Sequence, residues 1–588
     1  MIYKAPVNDM MFLINNWIGI SHINSLPGFE HIDSETFEFI LEEAGKFCSN
    51  ELLPINRQGD EIGAKFENGA VTTPPGFKNA YRQFSENGWI GMDADPEHGG
   101  QGLPRMIKFL IDEMLCACNL GFKLYTELTQ GAYHLMNHAA PDHLKSICLP
   151  HMVDGSWSGT MCLTEPHCGT DLGLLTTRAS LNEDDTYAIN GTKIFITSGD
   201  HDLTDNILHM VLARIDGAPE GSRGISLFLV PKFNFDEKGT LGERNGVVTG
   251  SIEHKMGIKA SATCVLNFDN AKAFLLGEVN HGLRAMFKMM NLERITVGIQ
   301  GLGFAEIAYQ NAVSYAMERS QSKAPPPRPD SSKASDLIIL QPDIQRKLLT
   351  MRSQIEGGRA LAVYAAYQTD VMEKATDTEQ KQAAEDVVAL LTPIVKSYLS
   401  DLGVSSTLEA QQVFGGHGYI REHGMEQLVR DSRIATIYEG TNEVQAADLV
   451  LRKLSANNGR IVEVFFADLK GMLSDQESQS EFVGPAMAAL ENLVQVTVWM
   501  QEKLLKDIAA VSGAATLYQR MFALTVVACL WADIIRTIDG KEGDFFETKR
   551  KLARFYMQNV LPEAESLGRA VTLGADSLAD FDIRLFDV

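Results

Sequence analysis

The hydrophobic pattern of this chain changes its period twice, and this restricts the architecture more than any other feature. Apolar residues recur at three- and four-residue spacing from Ser34 to about Val153, which is typical of helices. Short β-rich runs then fill residues 157–275, and the helical spacing returns from Leu283. We therefore predict a compact β domain, a small barrel or sandwich, between two helical domains.

A second helical block after Asn457 and a Pro- and Ser-rich loop at 324–335 complete this α+β, multidomain plan. The predicted domains are an N-terminal extension (1–33), a helical domain (34–156), a β domain (157–280), a helical bundle (281–458) and an additional helical domain (461–588).

Three local patterns predict details of these domains. Ser34 and Thr36 are candidate N-caps for a helix that continues to Cys48. The run Tyr187–Thr197 contains Asn-Gly and predicts a strand, a tight turn and a second strand. The segment Thr516–Arg536 is apolar nearly all round, which predicts a helix buried inside the last block.

The overall charge excludes some classes of partner. The chain carries a net charge of −24, so its surface repels nucleic acid and anionic lipid at long range. Residues 461–588 contain 12 Lys and Arg against 19 Asp and Glu, so this block is also acidic. We expect no binding of nucleic acid and no membrane docking through a cationic amphipathic helix in that block.

The cysteines and the chain start indicate the compartment. Eight cysteines occur without a CxxC pair or a matching His/Cys cluster, which favours buried free thiols over disulfides or a structural metal site. The first residues lack the basic and long apolar regions of a signal peptide. The apolar stretch Met521–Trp531 is too short to span a bilayer. We expect a cytoplasmic protein without an integral membrane segment.

Four short motifs carry the functional information. They are residues 161–171 (MCLTEPHCGTD), 195–197 (FIT), 412–419 (QVFGGHGY) and 430–431 followed by 437–445 (RD…IYEGTNEVQ). In this order and spacing they resemble the acyl-CoA dehydrogenase family over roughly residues 35–455. The N- and C-terminal additions resemble one long branch, which includes bacterial fatty acyl-CoA dehydrogenases and 3-methylmercaptopropionyl-CoA dehydrogenases.

The resemblance implies an FAD-dependent enzyme that forms a trans-2 double bond in an acyl-CoA thioester. Such a reaction needs a carboxylate base in a dry site, fixed donors for the thioester oxygen and a hydride acceptor, which flavin N5 provides. The family's base corresponds to Glu439, and its backbone N–H binds the thioester carbonyl. Tyr438 and Gly440 are implied substrate contacts.

A second glutamate competes for the role of base. In some relatives the base comes from a different helix, at the position of Glu293 in the sequence Asn291-Leu-Glu-Arg294. We assign the base to Glu439 and interpret Glu293 as a nearby acid or as part of a Glu–Arg helix pair. Arg294 matches a residue near CoA in relatives, and a pair with a carboxylate is an equal alternative.

The resemblance also implies the cofactor contacts. Those in the first half of the chain are Leu163, Thr164, Thr170 (also near substrate), Phe195 and Thr197. Those in the second half are Arg319, Gln412, Gly416 and Thr441. Arg319, Gln412 and Gly416 match residues that reach the FAD of a neighbouring subunit, which predicts a homo-oligomer, with a dimer favoured by the additional domain. One departure is Ser322, which stands where the family has glycine, followed by the Pro-rich insert.

Alternative functions stay open at this point. An acyl-CoA oxidase would use the same base and reduce oxygen, whereas a dehydrogenase passes its electrons to an electron-transfer flavoprotein. A non-catalytic DNA-associated relative would need a basic C-terminal face, which the charge count opposes. The sequence does not fix the acyl chain length or a preference for a thioether substrate.

Overall fold

The computed structural model describes residues 1–327, 330, 332–474, 480–579 and 582–586. Its contacts divide the chain into two compact units, each assembled from segments that are distant in sequence. Unit 1 contains Met1–Gly45, Arg105–Ala117 and Arg294–Val588, and unit 2 contains Lys46–Pro104 and Cys118–Glu293.

Helices form most of unit 1 and occur in unit 2 together with the strands. Those before and within the first helical region are α1 (Val7–Phe12), α2 (Ile20–Asn24), α3 (Ser34–Phe47), α4 (Leu53–Ile62), α5 (Phe77–Glu86), α6 (Arg105–Ala139) and α7 (Asp142–Val153). Those after the β region are α8 (Gly282–Glu318), α9 (Pro342–Lys374), α10 (Thr378–Phe414), α11 (Met425–Ser432), α12 (Asn442–Asp448), α13 (Arg460–Ser474), α14 (Ser480–Leu504), α15 (Ile508–Thr537), α16 (Asp544–Phe555) and α17 (Pro562–Ala579). The fold class predicted from the sequence is confirmed.

The strands lie in unit 2. They are β1 (Lys65–Glu67), β2 (Ala70–Thr72), β3 (Trp157–Cys162), β4 (Arg178–Leu181), β5 (Tyr187–Thr197), β6 (Asn206–Ile215), β7 (Ile225–Pro231), β8 (Phe233–Phe235), β9 (Leu241–Arg244), β10 (Val247–Ile252) and β11 (Thr263–Leu276). Pairings between β11, β5, β4, β6 and β7 close a ring, because β7 pairs with both β6 and β11. Apolar side chains such as Val211, Phe228 and Phe268 form the core of this small barrel.

The structure corrects the predicted hairpin at Asn190-Gly191. Residues Tyr187–Thr197 form one continuous strand, and both of its halves pair with β11. The register with β11 shifts between Phe268 and Ala271, opposite the Asn-Gly pair. A Cβ at Gly191 would lie 2.5 Å from Thr177 Oγ1. Glycine is therefore needed here because the backbone passes close to the segment that contains Thr177, and not because the chain turns.

The start of α3 also differs from the prediction. The helix begins at Ser34, and the Asp33 carboxylate accepts a hydrogen bond from the Thr36 N–H at 2.8 Å. Asp33 is therefore the N-cap, because its side-chain oxygen satisfies a backbone donor in the first turn. The candidates Ser34 and Thr36 lie inside the helix.

A buried charge cluster holds the N-terminal extension within unit 1. The Arg359 guanidinium contacts the carboxylates of Asp9, Glu113 and Glu306, with its Nη2 2.6 Å from Glu306 Oε2. Lys549 of α16 also bonds Asp9. These contacts join α1, α6, α8, α9 and α16. The buried positive and negative charges form ion pairs, so none of them is left uncompensated in the interior.

The additional helical block contains a helix that is buried over most of its length, as predicted. Residues Met521–Ile535 of α15 are almost completely excluded from solvent. Two helical stretches, Thr378–Tyr419 and Ile508–Thr537, are long and apolar enough to cross a membrane, and 83% and 94% of their most apolar windows are buried inside the structure. A long apolar helix that is mostly buried is also found in the cores of soluble proteins. The predicted absence of an integral membrane segment therefore stays a prediction.

Candidate active site and flavin site

The predicted base lies on a tightly constrained turn of unit 1. Glu439 adopts a φ of 57° and Gly440 a φ of 78°, so two consecutive residues occupy the left-handed region. Such a conformation is uncommon for a non-glycine residue and persists only where surrounding contacts impose it. At Gly440, a Cβ would lie 2.7 Å from Gln445 Nε2, which explains the glycine.

Side chains on both flanks hold this turn. Gln445 Nε2 donates to the carbonyl oxygens of Glu439 at 3.0 Å and Gly440 at 3.4 Å. The Tyr438 hydroxyl donates to Gln300 Oε1 of α8. Tyr438, predicted as a substrate contact, therefore also ties the turn to the neighbouring helix. Gln445 and Gln300 were not identified from the sequence, because a polar residue in a helix gives no signal of its partner.

Thr441 begins α12 as its N-cap. Its hydroxyl oxygen accepts from the Val444 N–H at 3.4 Å. Thr441, predicted as a cofactor contact, therefore also has a structural role at the start of this helix. The turn therefore leads directly into a capped helix start, which constrains the backbone immediately after Glu439 and Gly440.

The structure places a buried arginine near the predicted base. Arg294 of α8 is 8% exposed, and Glu439 and Asp448 are among the charged groups around it. Burial lowers the pKa of the Arg294 guanidinium, while Glu439 and Asp448 oppose that shift. The second sequence interpretation, an arginine paired with a carboxylate, agrees with this environment.

Glu293 lies in unit 2 and is also buried. It is 3% exposed, so it is not a solvated helix-surface residue. A Cβ at Gly131 of α6 would lie 2.2 Å from Glu293 Oε1, so the carboxylate packs directly against that glycine. Glycine at this position leaves the space in which the carboxylate lies.

The additional helical block contributes to the surroundings of the Glu439 turn. A cavity of about 610 Å³ is bordered by Ile437 and Thr441 on the side of the turn. Leu517 and Arg520 of α15 border it as well. The additional block therefore borders a cavity next to the segment that carries Glu439, although Glu439 is not among the residues that line it.

The predicted flavin contacts of unit 2 surround the end of β3 and the end of β5. The Thr164 carbonyl accepts from the Ile194 N–H at 2.9 Å, which joins the two segments. Thr197 pairs with Thr263 at the end of the barrel strand β11. Leu163, Thr164 and Thr197 thus lie on connected backbone, whereas Thr170 lies on the exposed loop that follows.

Phe195 has a conformation that points to a ligand. Its side chain is 58% exposed although it is aromatic, and its φ is 60°. A bulky residue with positive φ is strained, and an exposed ring gains nothing from burial in the free protein. Such strain at an exposed aromatic ring is typical of a ligand site, and the predicted position beside a flavin accounts for it.

An ion pair buried below these residues was missed by the sequence analysis. Lys193 of β5 is fully buried and donates to Glu165 Oε1 and to the Leu163 carbonyl, both at 2.9 Å. Glu165 also accepts from Thr176 and Thr177. Burial opposes ionisation of Glu165, but Lys193 and these donors outweigh it and lower its pKa to about 2. In the continuous strand Lys193 has the same parity as the inward-facing Ile189, but the turn predicted at Asn190-Gly191 separated these two residues in the sequence.

Glu165 also belongs to a group that could hold a metal ion. Ligand atoms of Glu165, His167 and Cys168 lie within 4.8 Å of one another, a cluster that the sequence spacing did not suggest. Both carboxylate oxygens already accept hydrogen bonds from Thr176, Thr177 and Lys193. The lone pairs of the Glu165 carboxylate are therefore already used by the ion pair with Lys193 and by the hydrogen bonds from Thr176 and Thr177. All eight cysteines lie in the described part of the chain, where they are buried, as predicted, and form no disulfide.

The residues expected to reach a neighbouring subunit form one exposed surface of unit 1. Arg319 follows α8, Gln412 lies in the last turn of α10, and Gly416 follows that helix by two residues. The Tyr315 hydroxyl and His417 Nδ1 are 2.9 Å apart, which joins the two helix ends. The structure thus brings together residues almost a hundred positions apart that were assigned the same role.

The Pro-rich insert leaves the backbone around Arg319 ordered. Ser322 has a φ of 58°, so it adopts the left-handed conformation suited to the glycine it replaces. The ends of the insert are joined by Gln321 N–H to the Asp336 carbonyl at 3.0 Å, and the Arg319 carbonyl accepts from Ile338. The described part of 324–335 is largely exposed, as predicted, apart from Ala324.

Comparison with known proteins agrees with this fold and site. The acyl-CoA dehydrogenase N-terminal domain matches residues 34–156, its middle domain 160–271 and its C-terminal domain 280–454. A domain described as acetyl-CoA dehydrogenase C-terminal like matches residues 465–582.

Full-length relatives extend this agreement. The chain is 42% identical to 3-methylmercaptopropionyl-CoA dehydrogenase of Ruegeria pomeroyi over 83% of both chains. It is 33% identical to a butyryl-CoA dehydrogenase of Syntrophomonas wolfei over 98% of both chains. The crystal structure of Caenorhabditis elegans ACDH-11 in complex with C11-CoA matches with a TM-score of 0.79 and 20% identity, covering 100% of this chain and 96% of that one, and this supports the fold alone.

The order of helical domain, β-barrel domain and helical bundle is that of the three matched domains, which are characteristic of oxidoreductases that act on acyl-CoA thioesters. The chain belongs to the acyl-CoA dehydrogenase family, whose members are FAD-dependent flavoproteins. The residues present fit this cofactor, because an exposed, strained aromatic ring lies beside backbone held by Lys193 and Glu165.

Proposed function

We propose that this protein is an acyl-CoA dehydrogenase that removes the α-proton of a short acyl-CoA with Glu439 and forms a trans-2-enoyl-CoA. The observation that carries the proposal is the Glu439 turn, with two left-handed residues held by Gln445 and a helix start capped by Thr441. A carboxylate fixed in this way is positioned before the substrate arrives, which is what a general base requires.

Glu439 acts twice in the proposed reaction. Its carboxylate takes the proton as the α C–H bond breaks, and its backbone N–H donates to the thioester oxygen, where negative charge develops. Fixed donors stabilise that charge because they need no reorganisation during the reaction. The left-handed backbone at Glu439 and Gly440 supports this double role, since one turn sets both groups.

FAD, when bound, would supply the acceptor for the hydride that leaves the β carbon. Leu163, Thr164, Phe195 and Thr197 would hold its flavin end, with Thr170 near both cofactor and substrate. Thr441 would lie at the adenine half. Arg319, Gln412 and Gly416 would reach the cofactor of a second subunit in a homodimer. An electron-transfer flavoprotein is the proposed acceptor that reoxidises the enzyme.

The proposed substrate is 3-methylmercaptopropionyl-CoA or a similarly short fatty acyl-CoA. The relative with this thioether substrate in its name shares 42% identity over 83% of the chain, and the butyryl-CoA relative shares 33%. The two acyl groups are of similar length, so one pocket depth would suit both.

A panel of acyl-CoAs tests the proposal. FAD-loaded protein is assayed with an artificial electron acceptor on 3-methylmercaptopropionyl-, butyryl-, octanoyl- and palmitoyl-CoA. We expect the highest kcat/KM on one of the two short substrates. Preference for palmitoyl-CoA would contradict the substrate assignment, and no activity on any of the four would contradict the catalytic function. Fast reoxidation by air would identify an oxidase instead.

A further inference from the structure

A buried lysine lies behind the turn that carries Glu439. Lys396 of α10 is completely excluded from solvent, and its Nζ donates to Asn442 Oδ1 at 2.8 Å. Asn442 is the first residue of α12 and follows Glu439 by three positions. The ammonium group therefore contacts the helix start to which the predicted base is directly connected.

Asn442 transmits this contact to the turn. Its Nδ2 donates to Asp401 Oδ1 at 2.8 Å and to Ser400 Oγ at 3.1 Å, so α10 holds the start of α12 at several points. A displacement of Glu439 relative to α10 would break these buried hydrogen bonds, each of which is costly to leave unmade. Lys396 and Asp401 are the charged members of this set, and neither was identified from the sequence.

The charged groups around Lys396 are mainly acidic. Glu439, Asp401 and Glu443 are negative, and Arg294 is positive. Burial lowers the pKa of Lys396 to about 8, and these carboxylates, Glu439 first among them, oppose the shift. The group therefore carries its charge at pH 7, and interactions between buried charges are screened little by solvent.

We infer that Lys396 is a positioning residue that orients the Glu439 turn through Asn442 and, by its positive charge, favours the ionised form of the base. This inference rests on the proposed role of Glu439. A purely structural lysine would act only through its hydrogen bond to Asn442, and a neutral donor could replace it. The charge and the hydrogen bond can thus be separated by substitution.

Two variants make that separation. Lys396→Gln keeps a donor that can reach Asn442 but has no charge, and Lys396→Arg keeps the charge. The rate of flavin reduction is measured by anaerobic stopped flow with butyryl-CoA between pH 5.5 and 10. We expect the acidic limb of the Lys396→Gln profile to move to higher pH by about one unit, because an uncompensated carboxylate is harder to ionise. Lys396→Arg should keep the wild-type limb.

Lys108→Met is the matched control for the loss of a buried lysine. Lys108 is 1% exposed and bonds Asp112 within α6. Its loss should lower the melting temperature without moving the pH limb. The inference would be overturned if Lys396→Gln folds and binds FAD but the acidic limb of its pH profile stays in the wild-type position. A lower maximal rate of flavin reduction without a shift of that limb would have the same meaning.

A comparison of wild type with Lys396→Arg covers the case in which Lys396→Gln does not fold. Lysine loses its charge as pH passes about 8, whereas arginine stays charged. We expect the wild-type rate to rise above that pH relative to Lys396→Arg, because Glu439 becomes the stronger base. The inference would be overturned if the pH profiles of the wild type and Lys396→Arg coincide up to pH 10.

Glu439→Gln, measured in parallel, keeps the two ideas apart. If this variant reduces its flavin at the wild-type rate, the proposed base is wrong, and the role of Lys396 falls with it. If Glu439→Gln is inactive while the Lys396 profiles do not differ, only the role of Lys396 is refuted.

Discussion

The side-chain amide of Gln445 donates a hydrogen bond to the carbonyl oxygen of Glu439 at 3.0 Å. Gln445 is 1% exposed and lies in the first turn of α12. Its hydrogen bond therefore ties the turn that carries the predicted base to the helix that follows it. A second bond to the Gly440 carbonyl at 3.4 Å strengthens the closure. The left-handed backbone of both residues thus has a specific cause.

Removal of this clamp should slow the chemistry and spare the cofactor. Gln445→Leu keeps the approximate size of the side chain and loses both hydrogen bonds. We expect the rate of flavin reduction to fall about tenfold, since a loss of about 1.4 kcal/mol in transition-state stabilisation has that effect. FAD content should be unchanged. Gln501→Leu is the control, because Gln501 makes a similar bond to the Leu454 carbonyl at 2.8 Å. Equal rates in both variants would contradict the role of the clamp.

The strain at Phe195 gives a second prediction. Glycine adopts a φ of 60° without cost, so Phe195→Gly should raise the melting temperature of the apoprotein or leave it unchanged. Loss of the aromatic contact should weaken FAD binding about three- to tenfold, measured by titration of the flavin fluorescence. Phe195→Ala should weaken binding to the same extent without any gain in stability. If FAD affinity is unaltered in both variants, Phe195 does not contact the cofactor.

Gly416 allows a direct test of the second subunit. A Cβ at this position would meet nothing within 4 Å in the chain itself, and its φ is not in the left-handed region. Gly416→Met should therefore leave the protomer folded. We expect it to lose FAD and dimer, because the added side chain would occupy space taken by the partner's cofactor.

Gly484→Met on α14 is the matched control, since that site is equally open. Light scattering and the ratio of flavin to protein absorbance report the result. A flavin-loaded monomer of the wild type, or a Gly416→Met dimer with full FAD, would be evidence against the shared cofactor site.

The buried histidines of the barrel predict a dependence of stability on pH. Burial lowers the pKa of His201 to about 4 and that of His209 to about 3. The unfolded chain binds these protons below about pH 6.5, whereas the folded chain does not. Stability should therefore fall as pH decreases from about 6.5 towards 4.

His209→Gln should make that dependence shallower. One histidine that takes up a proton only on unfolding contributes at most about 1.4 kcal/mol per pH unit. The urea midpoint, followed from pH 7 to pH 4.5, measures the slope. His143→Gln alters an exposed histidine and should leave the slope as in the wild type. Parallel curves for wild type and His209→Gln would refute the assignment.

Long periodic segments could be predicted from the sequence, and contacts between distant residues could not. The helical spacing that returns at Leu283 predicted α8, and the apolar run from Thr516 predicted the largely buried α15. In contrast, Asn190-Gly191 suggested a turn because this dipeptide favours one locally. The close packing of Gly191 against Thr177 in the barrel overrides that preference.

The candidate site shows the same contrast between local motifs, which could be predicted, and contacts between distant residues, which could not. The resemblance to a family supplied Glu439 and the flavin residues, because those lie in contiguous motifs. Lys193 and Glu165 are 28 positions apart, and Lys396 and Asn442 are 46 apart, so only the fold brings each pair together. Buried charges need partners, which makes a lysine at an inward strand position a usable sequence signal. Lys396 gave no comparable signal, since a helix has an exposed face.

The most direct test of the account is flavin reduction by Glu439→Gln. The substitution keeps the size of the side chain and removes its ability to take the α-proton. The protein should retain FAD and bind acyl-CoA, and its flavin should fail to bleach when substrate is added, with a rate at least about 10²–10⁴-fold below wild type. Glu293→Gln, the matched change in the competing glutamate, should alter the rate or pH profile modestly. Near wild-type flavin reduction by Glu439→Gln, together with no reduction by Glu293→Gln, would contradict the account and assign the base to Glu293.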